Sequence, residues 1–363
     1  YKILYNSAVA MTGGQNADGA MSVPELTHVL KAEGVGRIFI TTDEPDKYTT
    51  VTHWPPDVTV WHRERLDEAQ RILREIPGVT VLIHDQECAA ELRRKRKRGL
   101  SPDPAMRVVI NEAVCEGCGD CGVKSNCLSV VPVDTEFGRK TQIHQSSCNK
   151  DYTCLDGDCP AFVTLIPEDP KRIGRPGPGY TDDIPLPDPD LTFSGEYNLY
   201  MMGIGGTGVV TTNQILATAA MLDGKFVRGL DQTGLSQKGG PVVSHLRLFD
   251  EYVEAANKVS AGTADCYLVF DILAGADITN MTYSHPERTV AVISTSQVAT
   301  GDMITSLQTQ FPAESHLIDE INRNTVSDRN VLIDTVGLAE TLFGSHMPAN
   351  MIACGAAYQN SLL

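Results

Sequence analysis

Seven cysteines lie between Cys115 and Cys159, spaced Cys115-x2-Cys118-x2-Cys121-x5-Cys127 and then Cys148-x5-Cys154-x4-Cys159-Pro160. Three thiolates at two-residue gaps can wrap three corners of an iron–sulfur cubane. The fourth must then come from far along the chain; in two-cluster ferredoxins it is the Cys before a Pro in the other half, which here is Cys159. The spacing predicts a [4Fe–4S] cluster on Cys115, Cys118, Cys121 and Cys159. Structural zinc is the alternative, although it favours paired C-x2-C knuckles over a triple. Gly117, Gly119 and Gly122 are expected to let the loop bend tightly and turn backbone N–H groups toward the sulfides. Cys127, Cys148 and Cys154 remain, one thiolate short of a second cluster, which would need another side chain or a three-iron form. Cys88, Cys266 and Cys354 sit in apolar or helical patterns and read as ordinary buried thiols.

Two glycine loops and one basic run also carry candidate chemistry. Asn6 at a strand end, the Ala8 carbonyl two residues on and the loop Met11-Thr12-Gly13-Gly14-Gln15 could hold Mg²⁺ on a diphosphate through oxygen ligands; an ordinary Asn turn accounts for the same residues. Gly203-Ile204-Gly205-Gly206-Thr207-Gly208 contains G-x-G-x-x-G between a strand and a helix pattern, with Asp231 placed 23 residues after Gly208. That is a dinucleotide reading; a tight turn whose glycines serve close packing is the other. The segment Asp231 to Gly240 is polar and glycine-rich, as a loop approaching a ligand or another subunit would be. Arg93 to Arg98 reads either as a solvated helix end complementing a helix C-terminus or as a docking patch for an acidic partner such as ferredoxin.

The elements that must position these residues alternate between strand and helix. Residues 1–105 hold a strand at Ile3-Leu4-Tyr5 and a helix begun by Ser22 with Glu25 three residues on, a capping-box spacing. A β-branched strand, Arg37 to Thr42, follows. Leu66, Ala69, Ile72, Leu73 and Ile76 mark a second amphipathic helix, and Val79 to Ile83 a further strand. Residues 106–170 hold the cysteines and show little periodicity; residues 171–195 are a proline-rich linker. Residues 196–363 return to the α/β pattern, with a strand at Tyr197–Met202, a helix at Val209–Leu222 and strands at Val242–Leu248, Tyr267–Asp271, Thr289–Ser294 and Val331–Asp334. The fold class predicted is α/β, two parallel-sheet α/β domains joined by a ferredoxin-like iron–sulfur segment. No internal repeat at 20–50 residues is evident.

Composition narrows the function classes. The chain has 363 residues, 42% hydrophobic and 21% charged, which excludes a mostly disordered chain. No apolar run approaches the ~18 residues of a membrane span. A formal net charge of −16 sets the surface against phosphate backbones, so no nucleic-acid partner is expected. Clustered thiols in so long a chain point to metal ligation in a reducing compartment, the cytoplasm, rather than to a disulfide scaffold. The chain opens on Tyr1 inside a strand pattern and closes within a helix pattern. It is therefore expected to be part of a longer polypeptide.

Together the motifs resemble a known family. Tyr5-Asn6-Ser7-Ala8-Val9-Ala10-Met11-Thr12-Gly13-Gly14-Gln15 resembles the thiamine-diphosphate loop of the 2-oxoacid:ferredoxin oxidoreductases. Val114 to Gly122 looks like their ferredoxin-like segment, and Met202 to Val209 is similar to the opening of their gamma domain. The order matches the fused indolepyruvate ferredoxin oxidoreductases. The resemblance implies oxidative decarboxylation of indolepyruvate or a related aryl 2-oxoacid to acyl-CoA and CO2, with coenzyme A as acyl acceptor. Electrons would pass through one or two [4Fe–4S] clusters to ferredoxin. Asn6 and Ala8 would ligate the Mg²⁺ of thiamine diphosphate, and Met11, Thr12, Gly13, Gly14 and Gln15 would line that cofactor. The family's Gly-Asp-Gly element is missing from this chain and would precede Tyr1. Partners would be the remainder of the polypeptide and a second copy, in a homodimer or higher homo-oligomer. An NAD(P)-linked iron–sulfur oxidoreductase and a non-catalytic electron-transfer module are the competing readings.

Overall fold

A computed structural model describes residues 1–6, 19–168, 192–234, 239–306 and 308–363. The chain divides into two units, Tyr1–Asp103 and Pro104–Leu363. Of the expected cofactor loop, Ala8, Met11, Thr12, Gly13, Gly14 and Gln15 lie outside the described residues, as does most of the proline-rich linker.

The first unit is a parallel sheet with a helix on each face. Its strands are β1 (Lys2–Tyr5), β2 (Arg37–Thr42), β3 (Val58–His62) and β4 (Thr80–Asp85), in spatial order β1-β4-β2-β3. All three pairings are parallel. Alternation along β2 makes the two layers: Ile38 and Ile40 pack with Val23, Leu26 and Leu30 of the helix Val23–Ala32, while Phe39 packs with Ala69 and Leu73 of the helix Leu66–Glu75. The expected capping box is present: the Ser22 N–H donates to the Glu25 carboxylate at 2.7 Å, and the Glu25 N–H donates to the Ser22 hydroxyl at 3.4 Å. Strand β3 goes beyond the strands expected from the sequence; it follows Pro55-Pro56 and an Asp57 with φ 63°, which reads as a turn. The basic run occupies the last turn of the helix Ala89–Lys97, where cations complement the dipole. Arg94 there pairs with Glu91 at 2.9 Å and Lys95 with Glu87. Asn6 follows directly on β1, at the C-terminal edge of the parallel strands, where the Gln86 N–H donates to the Tyr5 carbonyl at 3.1 Å.

The second unit joins the cysteine segment to the gamma-like part. Its first strands are β5 (Arg107–Ile110), β6 (Val130–Thr135), β7 (Gly138–Ile143) and β8 (Phe162–Leu165). β5 pairs antiparallel with β8, and β6 with β7. A six-stranded sheet follows, built from β9 (Glu196–Ile204), β10 (Phe226–Thr233), β11 (Pro241–Phe249), β12 (Cys266–Val269), β13 (Val290–Ser294) and β14 (Val331–Ile333), in order β10-β11-β9-β12-β13-β14. The α/β class is as expected, with one difference. β9, β12, β13 and β14 run parallel, but β11 is antiparallel to both β9 and β10. The connection from Thr233 to Pro241 is too short for a parallel crossover, which needs a dozen or more residues, so the chain returns as a hairpin. β12 and β13 are buried along their whole length, as strands covered on both faces must be. Leu199, Met201, Leu268 and Val292 pack with Ala353 and Cys354 of the helix Ala349–Gln359 on one face; Tyr200, Tyr267, Val269 and Ile293 pack with Leu317 and Ile321 of the helix Glu314–Asn322 on the other.

Candidate metal centre

Six of the seven cysteines, all but the exposed Cys118, share a small core with Val108, Ile110, Val130, Ile143 and Ala161. Cys115 lies in the turn after β5, its N–H donating to the Asn111 carbonyl at 2.9 Å. The Gly117 N–H turns back onto the Cys115 sulfur at 3.3 Å. Gly117 and Gly119 have φ of 68° and 80°, and a Cβ on Gly117 would stand 2.1 Å from the Arg139 carbonyl oxygen. Both a left-handed backbone and a close approach therefore require glycine there. Gly119 caps the helix Asp120–Ser125, whose second residue is Cys121. Burial pushes the Cys121 thiol up, the Gly122 N–H opposes this, and the neighbouring Cys115, Cys118 and Cys159 push it further up. The Cys121 thiol thus lies within the field of the three thiols expected to act with it, Cys159 being carried in by the pairing of β8 with β5. Gly122, whose N–H faces the Cys121 sulfur as expected, also serves packing. It is helical, and its missing side chain lets the Ile304 carbonyl oxygen come within 2.6 Å of where a Cβ would be.

Cys127, Cys148 and Cys154 form the second group. Burial first, then Cys127, Cys148 and Asp151, push the Cys154 thiol up to about 12. The local backbone repeats that of the first group. The Cys148 N–H donates to the His144 carbonyl at 3.1 Å, and the Lys150 N–H to the Cys148 sulfur at 3.4 Å. Lys150 and Tyr152 have φ of 54° and 62°, and Tyr152 caps a 3₁₀ turn, Thr153–Leu155, whose second residue is Cys154. The exits match too: the Val130 N–H donates to the Cys127 carbonyl at 3.0 Å and the Phe162 N–H to the Cys159 carbonyl at 3.3 Å. So two seven-residue stretches, beginning at Cys115 and Cys148 and 33 positions apart, share one local backbone course. The signal was in the spacing: Cys148 to Cys154 equals Cys115 to Cys121, and Asp151 stands where Cys118 stands. A count of thiols alone leaves Asp151 out.

The segment is bolted to the gamma-like part. The Arg139 guanidinium donates to the Thr309 carbonyl at 3.0 Å and to the Met303 carbonyl. The His144 Nε2 lies 2.7 Å from Glu340, and Ser146 donates to Glu340 at 2.8 Å and meets His346 Nδ1 at 2.9 Å. At the end of the segment Asp231 to Gly240, Gly239 meets the cysteine segment: a Cβ on Gly239 would stand 2.5 Å from Leu128 Cδ1. Residues 235–238 of it lie outside the described residues. Cys266 and Cys354 are buried thiols, as expected, the latter pushed up to about 12 by burial; Cys88 is only half-buried, at the start of the helix Ala89–Lys97.

Residues 198–363 match the profile of the pyruvate ferredoxin/flavodoxin oxidoreductase family. The match lies wholly in the part built on the six-stranded sheet, and residues before Asn198 lie outside it. Over 161 residues, 44% of this chain, it is 26% identical to the indolepyruvate oxidoreductase subunit IorB of Archaeoglobus fulgidus, spanning 75% of that protein. Over 76 residues, 21% of this chain, it is 40% identical to IorB of Thermococcus kodakarensis, spanning only 37% of that protein. The solved structure of the pyruvate oxidoreductase subunit PORC of Thermotoga maritima is a looser likeness, with 17% identity, 47% of this chain and 79% of that chain covered, and a TM-score of 0.32.

Within the matched residues the glycine loop 203–208 is occupied by packing. A Cβ on Gly203 would stand 2.7 Å from Val209 Cγ2, and Gly208, at φ 99°, caps the helix Val209–Leu222. The Gly205 N–H donates to the Gly240 carbonyl at 2.7 Å. Asp231 is held by Asn213 at 2.8 Å and Ser244 at 2.5 Å. It lies on β10, which β11 separates from β9, whereas a ribose-binding acid belongs on the strand beside the glycine loop's own.

Proposed function

We propose that this chain is the iron–sulfur and gamma portion of a 2-oxoacid:ferredoxin oxidoreductase acting on indolepyruvate or a related aryl 2-oxoacid. One observation carries the reading: the two cysteine groups are fixed in the same compact unit as the residues that match the family. Soft thiolate donors suit iron–sulfur clusters, so Cys115, Cys118, Cys121 and Cys159 would hold one [4Fe–4S] cluster. Cys127, Cys148 and Cys154 would hold a second. Asn6, at the C-terminal edge of the parallel strands where α/β ligands bind, would ligate Mg²⁺ together with the Ala8 carbonyl. Met11, Thr12, Gly13, Gly14 and Gln15 would line thiamine diphosphate. When bound, these groups supply the decarboxylation chemistry and one-electron transfer; the chain's own thiolates and backbone N–H groups fix and tune the clusters. Coenzyme A would take the acyl group and ferredoxin the electrons. The aryl substrate is suggested by the IorB relatives, and the bound Asp231 speaks against the NAD(P)-linked alternative.

The test is made on the full-length protein, purified anaerobically. It should hold iron and thiamine diphosphate and reduce ferredoxin when 2-oxoacid and coenzyme A are added, indolepyruvate outpacing pyruvate and 2-oxoglutarate. Cys118→Ser should remove about half the iron and the ~400 nm absorption of the first cluster. Stoichiometric zinc in place of iron, or nicotinamide reduction without ferredoxin, would overturn the proposal.

A further inference from the structure

We propose that Asp151 is the fourth iron ligand of the second cysteine group, its carboxylate standing where the first half carries the Cys118 thiolate. The inference rests on the iron–sulfur reading above and adds a ligand that a count of thiols does not supply.

From Cys115 the chain makes an N–H to sulfur bond from the second residue on, left-handed residues at the second and fourth positions, and a helical turn whose second residue is the next buried thiol. From Cys148 every one of these recurs at the same offset, through Lys150, Tyr152 and Cys154. A backbone that repeats step for step places the side chain of the third residue at the same point relative to the flanking sulfurs. In the first half that residue is Cys118 and in the second Asp151, and both are exposed while their flanking thiols are buried or half-buried. The fourth donors correspond as well, Cys127 and Cys159 each accepting at the carbonyl from the N–H three residues on.

Independent features agree with this placement. Asp151 and Cys127 line one cavity of about 400 Å³, together with Asn149 and Leu128. Thr153 donates to Asp151 Oδ1 from its N–H at 3.4 Å and its hydroxyl at 3.3 Å, which orients the carboxylate. Carboxylate and thiolate carry the same single negative charge, so the substitution leaves the net charge of the centre unchanged. Oxygen is the harder donor and suits iron–sulfur iron less well than sulfur does. The iron it holds is therefore the one most easily lost.

The experiment uses the full chain, reconstituted anaerobically with iron and sulfide, then treated with ferricyanide. That oxidant takes one electron from the second cluster, which releases the Asp151-bound iron as Fe²⁺ and leaves a three-iron centre on Cys127, Cys148 and Cys154. The native chain should begin with about eight irons, lose about one, and gain the EPR signal of an oxidised three-iron centre. Asp151→Cys should keep all its iron under the same treatment and show no such signal. Asp151→Ala should be isolated with about seven irons and the signal already present. The ligand assignment is overturned if Asp151→Ala holds as much iron as the native chain, or if the native chain and Asp151→Cys lose iron alike. A native chain that takes up no iron sinks the function and the ligand together; a native chain with iron whose Asp151 variants are indistinguishable from it sinks the ligand alone.

Discussion

Gly117→Ala isolates the fit on which the first cysteine group depends. Two costs apply. The new Cβ must adopt φ 68°, and it would stand 2.1 Å from the Arg139 carbonyl oxygen, a backbone atom of β7 that cannot swing away. A left-handed backbone costs a non-glycine residue roughly 1–2 kcal/mol. Forcing the strand outward adds about 1–3 kcal/mol of overpacking strain, for a total of about 2–5 kcal/mol. Gly138→Ala is the internal control: it sits in the neighbouring hairpin at φ 89° with nothing within 4 Å of its Cβ position, so only the conformational cost applies. Urea unfolding of both variants, read by near-UV circular dichroism, should place Gly117→Ala below Gly138→Ala by about 1–3 kcal/mol. The clash also displaces the Gly117 N–H from the Cys115 sulfur, so this variant should reconstitute with less iron than the control. Equal destabilisation of the two variants would refute the claim that β7 closes tightly on the cysteine loop.

Two further expectations concern the gamma-like sheet. Burial, aided by Lys258 and opposed by Asp231, lowers His245 from 6.5 to about 4, so the unfolded chain binds this proton first as pH falls. The stability His245 contributes is complete above pH 6.5 and is lost through pH 4, by up to ~3 kcal/mol; urea midpoints across that window should flatten in His245→Gln, and an undiminished slope would dismiss the idea. Asn330 accepts from the Ala291 N–H at 2.8 Å and donates to Asn322 and Thr325 at 2.8 and 2.7 Å, tying β13 to the chain that follows the helix Glu314–Asn322. Asn330→Ala should cost about 2–4 kcal/mol, because a strand N–H is left unpaired; a loss below 1 kcal/mol in chemical denaturation would show that water replaces the side chain.

What was legible in the sequence was whatever local chemistry dictates. Ser22 and Glu25 announce their capping box, and Arg37 to Thr42 and Val209 to Leu222 mark a strand and a helix whose bounds the structure reproduces. Strand direction was not legible, because β10 and β11 have the same residue types whichever way they run; only the short glycine-rich connection tells. β3 was hidden behind two prolines. Gly122 could not be separated from Gly117 and Gly119 by type, since its purpose depends on Ile304, which is far away in sequence. The division of the seven thiols into two groups was legible from spacing, but the shared backbone course beneath it was obscured by the substitution of a carboxylate for a thiolate.

The attachment of the cysteine segment to later residues has a consequence for biosynthesis. Arg139 and His144 find their partners 164, 170 and 196 positions further along the chain. At ~5–20 residues per second of translation, roughly eight to forty seconds separate the emergence of the thiols from that of the surface they rest on. During that interval the cysteine segment lacks the later surface on which Arg139 and His144 rest, and the Ile304 side of its core is open. Ribosome-bound chains halted short of Thr300 should accordingly react with a thiol alkylator at positions that the finished protein protects.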